Sequence, residues 1–168
     1  MSPFFIHPDL ELNVQLIRIL AILEKASLNR NSTLVLNIEK IGAFDFFLRH
    51  PLILFEVLKK ANKSIPFALE EHERNSINSI YPSREGLYRF EEHRKLIQIL
   101  LIYGYLTVTI TDAKEPYYGI TEQGRSFIEQ IDTSYALRQR ELASSFVSLH
   151  SQTHKNLLAQ ITPHINGK

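Results

Sequence analysis

The sequence predicts a mainly α fold with a small β hairpin, an α+β arrangement. Two observations carry that expectation. Apolar residues recur at spacings of three and four over most of the chain, the period of amphipathic helices. In one place, from Tyr105 to Ile120, the pattern shifts to β-branched and aromatic residues on either side of a polar turn, which suits two short paired strands.

That region lies inside Leu96–Ile131. Leu96 to Tyr103 is almost continuously apolar and reads as the buried end of a helix. Gly104 stops it, because glycine takes the left-handed backbone conformation without steric cost. Tyr105 to Ile110 is the first strand, Thr111 to Pro116 the turn, and Tyr117 to Ile120 the second strand. Thr121 is then a helix N-cap, Glu122 an acid in the positive first turn, and Phe127, Ile128 and Ile131 the buried face. Helix, Gly-Tyr-Leu, hairpin and Thr-capped helix, in this order, resemble a winged-helix domain.

Other elements follow from the same rules. Pro3 to Pro8 is an apolar arm in which Phe4, Phe5 and Ile6 need something to pack on. Leu12, Leu16, Ile19, Leu20 and Leu23 mark an amphipathic helix from Asp9 to Ser27. Asn29 to Ser32 is a turn and Thr33 to Leu36 a short strand. Asn37 caps a helix running to His50, where Pro51 both breaks it and starts the next, which ends at Lys59 and Lys60. Ala61 to Phe90 reads as a long excursion with one turn of helix, the kind of segment that is functional or held by a contact. A continuous C-terminal helix is expected over Ser134–Ile161. Tyr135, Leu142 and Leu149 repeat at seven, with Phe146 and Thr153 at the intermediate positions, a stripe that suits docking or a coiled coil and equally suits a helix packed on its own domain. The expected division is a winged-helix-like domain with its arm over 1–132, then the C-terminal helix and tail over 133–168.

The bulk numbers narrow the function. The 168 residues carry 19 Lys+Arg against 18 Asp+Glu, a net charge of +1. A dedicated nucleic-acid binder draws its affinity from phosphate neutralisation and needs more base than that. The helix before the hairpin presents Glu91, Glu92, His93, Arg94, Lys95 and Gln98, in which acids and bases cancel. Arg94 and Lys95 are the candidate DNA contacts. No cysteine occurs, so neither disulfides nor thiolate metal sites are expected. MSPFFIHPDL lacks a basic n-region and a long apolar core, so no signal peptide is expected, and no apolar run reaches membrane length. A cytoplasmic protein is the expectation.

Catalytic patterns are missing from the sequence. It has no P-loop, no dinucleotide glycine motif and no GxSxG. Asp45 falls on or beside an apolar helix face and is either a catalytic or metal-binding acid or, with far greater weight, one satisfied by an arginine or by backbone donors. His150 and His154 are four apart but lack the glutamate of a zinc helix. No metal, cofactor or enzymatic activity is expected.

Four stretches together reach further. PFFIHPDLELNVQLIRILAIL, LNIEKIGAFDFFLRHP, IYPSREGLYRFEEHRKLIQILLIYGYLTV and YYGITEQGRSFIE resemble, in this order, the middle component of ABC-three-component systems, a family that includes the small subunit of Lamassu-type anti-phage defence operons. The resemblance spans about residues 3 to 131 and implies a non-catalytic adaptor between a Rad50/SMC-like ATPase and an effector such as a nuclease. DNA would then be reached through the assembled complex. It matches Asp45, His50, Arg84, Gly104 and Tyr105 to family positions with architectural roles. Contacts are expected on Phe4, Phe5 and Ile6, on Thr107 and Thr109 of the hairpin, and on Tyr135, Leu142, Phe146 and Leu149. The alternative reading is a winged-helix DNA-binding regulator.

Overall fold

A computed structural model describes residues 11–165. Helix α1 (Leu12–Ala26) is the central strut, buried from Arg18 to Leu23. Leu28 and Leu36 then make isolated bridges, to Leu34 and to Tyr118, so the expected Thr33–Leu36 strand contributes single pairings and not a full ladder. Asn37 caps α2 (Ile38–Arg49) by accepting from the Lys40 amide at 3.0 Å. His50 ends α2 and Pro51 opens α3 (Pro51–Lys60), as X-Pro sterics require.

The excursion contains more structure than expected: short helices α4 (Glu71–Asn75) and α5 (Ile77–Ile80) and a 3₁₀ turn at Arg84–Leu87. A capping box over Glu70 and Glu73 and the Ser76 cap nucleate them locally. Helix α6 (Phe90–Ile102) leads into strands β1 (Leu106–Ile110) and β2 (Pro116–Ile120), an antiparallel pair in which Val108 faces Tyr118. Gly104 sits at φ 73°, the positive value its position was expected to need. Thr121 caps α7 (Glu122–Gln130) through the Gly124 amide at 3.0 Å.

The C-terminal region corrects one expectation. Ser134–Ile161 is not one helix but α8 (Ser134–Ala143), a 3₁₀ segment Ser144–Ser148, and α9 (His154–Ile161). The hydroxyls of Ser144, Ser145 and Ser148 donate to the carbonyls three residues back, at 2.5, 2.7 and 2.8 Å. Such back-bonding competes with the helical ladder and tightens the turn. Thr153 then caps α9 through the Asn156 amide.

The break lets the chain fold back. Leu142, Phe146, Leu149, Leu157 and Ile161 are each 0% exposed and join the same core as Ile19, Phe44 and Phe47. Phe146 stacks on Phe44 with ring centroids 4.4 Å apart. Leu142, Phe146 and Leu149 of the heptad-like stripe are therefore core and not a free docking seam, because a side chain with no accessible surface offers nothing to a partner, while Tyr135 is half-buried. Residues beyond 132 are also tied to the rest by charge. Arg140 grips Glu24 of α1 with two hydrogen bonds of 2.8 and 2.7 Å. Arg138 grips Glu73 of α4 at 2.9 and 2.5 Å.

Candidate protein-interaction surface

The hairpin and its supports are positioned from the middle of the protein. Asp45 on α2 is 4% exposed and takes charge from three directions. Arg18 Nε of α1 donates to Oδ1 at 2.6 Å, Arg49 Nε lies 3.2 Å from Oδ2, and His93 Nε2 of α6 lies 3.1 Å from Oδ2. Burial opposes the charge on Asp45, but Arg18 above all, with the His93 hydrogen bond and Arg49, overcomes it and holds the carboxyl well below the usual carboxylate range. An ionised Asp45 only accepts, so His93 Nε2 carries the proton. Arg18 also reaches the Tyr135 hydroxyl at 3.3 Å, and Arg49 the Gly86 carbonyl at 2.8 Å. One carboxylate thus fixes α1, α2, α6, α8 and the Arg84–Leu87 turn relative to each other.

This settles where several residues sit. Asp45 is satisfied by arginine, as the weightier expectation held. His93, expected on the exposed face of its helix, is instead 3% exposed and turned inward to Asp45. Nothing in local sequence joins residues 48 apart; only the Asp45–Arg49 spacing of four was legible. His50 is buried against Phe46, with centroids 4.3 Å apart, and burial together with Arg49 pushes it down to about 4. Tyr105 joins the aromatic row described below, while Arg84 is exposed on its turn. His150 and His154 fall on opposite sides of the break, and His154 Nδ1 lies 3.5 Å from Glu39. The expected contacts Phe4, Phe5 and Ile6 lie outside the described residues.

One of the two expected DNA contacts is neutralised in place. Arg94 pairs with Glu91 on its own helix and Arg89 lies 3.6 Å from Glu92, while Lys95 is exposed. A base already paired with an acid on the same helix adds little to phosphate binding.

Apolar surface lies on the other side of the hairpin's root. A groove of about 210 Å³ between α1 and α7 is lined by Asn13, Leu16, Ile17, Leu20, Phe127 and Ile131. Phe127 was expected to be buried by α7, yet it is 39% exposed. Its ring stacks on Tyr105 at 4.6 Å, and Tyr105 stacks on Tyr103 at 5.7 Å. Ile102, next in line, is 84% exposed. The groove and the three stacked rings make one connected apolar strip, and Ile102, beside Tyr103 in the chain, adds exposed apolar surface. Large rigid aromatics of this kind supply most of the energy at protein interfaces.

The hairpin's far face borders a second, open cleft of about 1100 Å³. Its lining includes Thr109 and Tyr117 of the hairpin, Asn37 and Lys40 at the start of α2, and Thr153 and Lys155 at the start of α9. Lys40 donates to the His150 carbonyl, and burial pushes its amine down to about 8. Thr107 and Thr109, the expected hairpin contacts, are both exposed.

The fold and this surface define a small helical protein with a hairpin, held rigid by a buried ion cluster and presenting apolar rings beside it. Residues 26–159 match the family model described as ABC-three component (ABC-3C) system Middle Component 4, and the chain belongs to that family. The match extends through α8 and into α9, past the region where the sequence resemblance ended. No curated protein and no solved structure matches the chain. As a middle component it works with the other components of its system. No helix among the described residues is long and apolar enough to cross a membrane.

Proposed function

We propose that this middle component is a non-catalytic adaptor of a bacterial anti-phage defence complex, joining a Rad50/SMC-like ATPase to an effector such as a nuclease. The observation that carries the reading is the connected strip formed by the α1–α7 groove, Phe127, Tyr105 and Tyr103, with the exposed Ile102 next to Tyr103 in the chain. Exposed apolar patches of this kind, rimmed by polar residues, mark contacts with other proteins. The titratable cluster around Asp45 is enclosed, and its work is to hold helices together. Thr107 and Thr109 extend the adaptor surface onto the hairpin.

The test is co-expression with the neighbouring ATPase and effector genes. The complex should survive high salt, because apolar contacts do not weaken as exposed ion pairs do. Ile102→Lys with Tyr103→Ala should release a partner while the protein keeps its melting temperature. A complex that forms as well with both substitutions would end this reading.

The helix–hairpin–helix order also fits a winged-helix DNA-binding regulator, and the pairing of Arg94 with Glu91 speaks against it. That alternative needs duplex binding that falls steeply with salt and is lost in Arg94→Ala/Lys95→Ala.

A further inference from the structure

Among the described residues, strand β1 has a partner on one side only. The Tyr118 amide donates outward to the Leu36 carbonyl at 2.8 Å, so Tyr118 does not exchange hydrogen bonds with Val108, which faces it. Antiparallel ladders alternate, so Thr107 and Thr109 spend their backbone groups on β2, whereas Leu106, Val108 and Ile110 aim theirs at the open edge. Pro116, which has no N–H, faces Ile110 and agrees with that phase.

Exposed edge strands are normally blunted by a lysine, a proline, a bulge or a glycine. This one has none of them. Its ladder pairs five residues with five, and the sixteen residues from Leu96 to Thr111 contain no charge. Val108 is 40% and Ile110 68% exposed.

We propose that the β1 edge pairs with the β1 edge of a second copy of this chain, antiparallel and centred on Val108. The residues that face out confine the register to pairs of even-numbered residues, and centring it on Val108 pairs the whole strand. A two-fold axis at Val108 sets Leu106 against Ile110 and Val108 against Val108, so every outward N–H meets an outward C=O. Slipping one strand by a single residue would set spent groups against free ones, and slipping it by two, to an axis at Thr107 or Thr109, would leave one end of the strand unpaired. Charge fits as well. None of the residues that the pairing sets against each other, Leu106 to Ile110, is charged, so no like charges meet. The pairing lies beyond the adaptor reading and does not depend on it, since it uses backbone groups of β1 and leaves the groove free.

The chain has no cysteine, which makes the test direct. Full-length Val108→Cys and Thr107→Cys are prepared and oxidised mildly. Opposed residues of a hydrogen-bonded antiparallel pair lie about 5.5 Å apart, within disulfide range, so Val108→Cys should cross-link to a dimer and Thr107→Cys should not. Sedimentation should show concentration-dependent dimers of the parent chain. Val108→Pro should abolish them without lowering the melting temperature, because that N–H makes no ladder bond. Val108→Lys and Val108→Asp should each be monomeric and form a mixed dimer. Equal cross-linking of the two cysteine variants, or dimers that persist in Val108→Pro, would overturn the proposal. So would a monomer at all concentrations whose edge is taken up by a strand of a different chain.

Discussion

Arg18 and Asp45 stand 27 residues apart in the chain and meet at 2.6 Å in a place where both are buried. With His93 and Arg49 they form a charged centre inside an otherwise apolar core. Charges in such a place are costly alone and tolerated only together, so removing one member does more damage than replacing the set.

Asp45→Ala should therefore destabilise the protein by about 3–5 kcal/mol, the range for an uncompensated buried charge. Urea denaturation followed by circular dichroism measures it. Asp45→Ala combined with Arg18→Met should recover part of the loss, and a double variant no better than the single one would count against the ion-pair account.

His50 gives the protein a pH dependence with a defined sign. Its folded value, about 4, lies below the ordinary 6.5. A depressed value means that the unfolded chain takes up the proton first, so the stabilisation is complete above pH 6.5 and is lost as pH falls toward 4. The full effect is about 3 kcal/mol, from roughly 1.4 kcal/mol for each unit. Burial lowers His150 as well, which acts in the same direction. Urea midpoints between pH 4 and 7 should fall with acid in the parent and fall less in His50→Gln.

Gly124 is packed on backbone. A Cβ there would lie 2.1 Å from the Tyr105 carbonyl oxygen. Neither group is a flexible side-chain end, so Gly124→Ala should cost more than the ~1–3 kcal/mol of ordinary overpacking. It should also separate the Tyr105–Phe127 stack, visible as a change in near-ultraviolet circular dichroism.

Phe146→Ala distinguishes a core role from a docking role. Phe146 is fully buried and stacked on Phe44. The expected outcome is a loss of about 3–5 kcal/mol in the isolated protein. An unchanged melting temperature with a lost partner would instead restore the docking stripe.

The sequence by itself determined the elements whose causes are local. The helical periods, the Asn37 and Thr121 caps, the His50–Pro51 break, the Gly104 stop and the β1–β2 turn all depend on residues within a few positions of each other, and all are found. The near-balance of charge, and with it the absence of a basic face on α6, was also legible. Tertiary structure decided the rest. The period of seven from Tyr135 to Leu149 is the same whether a helix lies against its own domain or another protein's. Only the return of the chain, made possible by three back-bonding serines, put Phe146 on Phe44. The joining of Asp45 to Arg18 and His93 needed three helices in place. So did the exposure of Phe127, whose apolar character alone argued for burial. Phe127 stacks on Tyr105 at the edge of the α1–α7 groove, and nothing among the described residues covers its outer side.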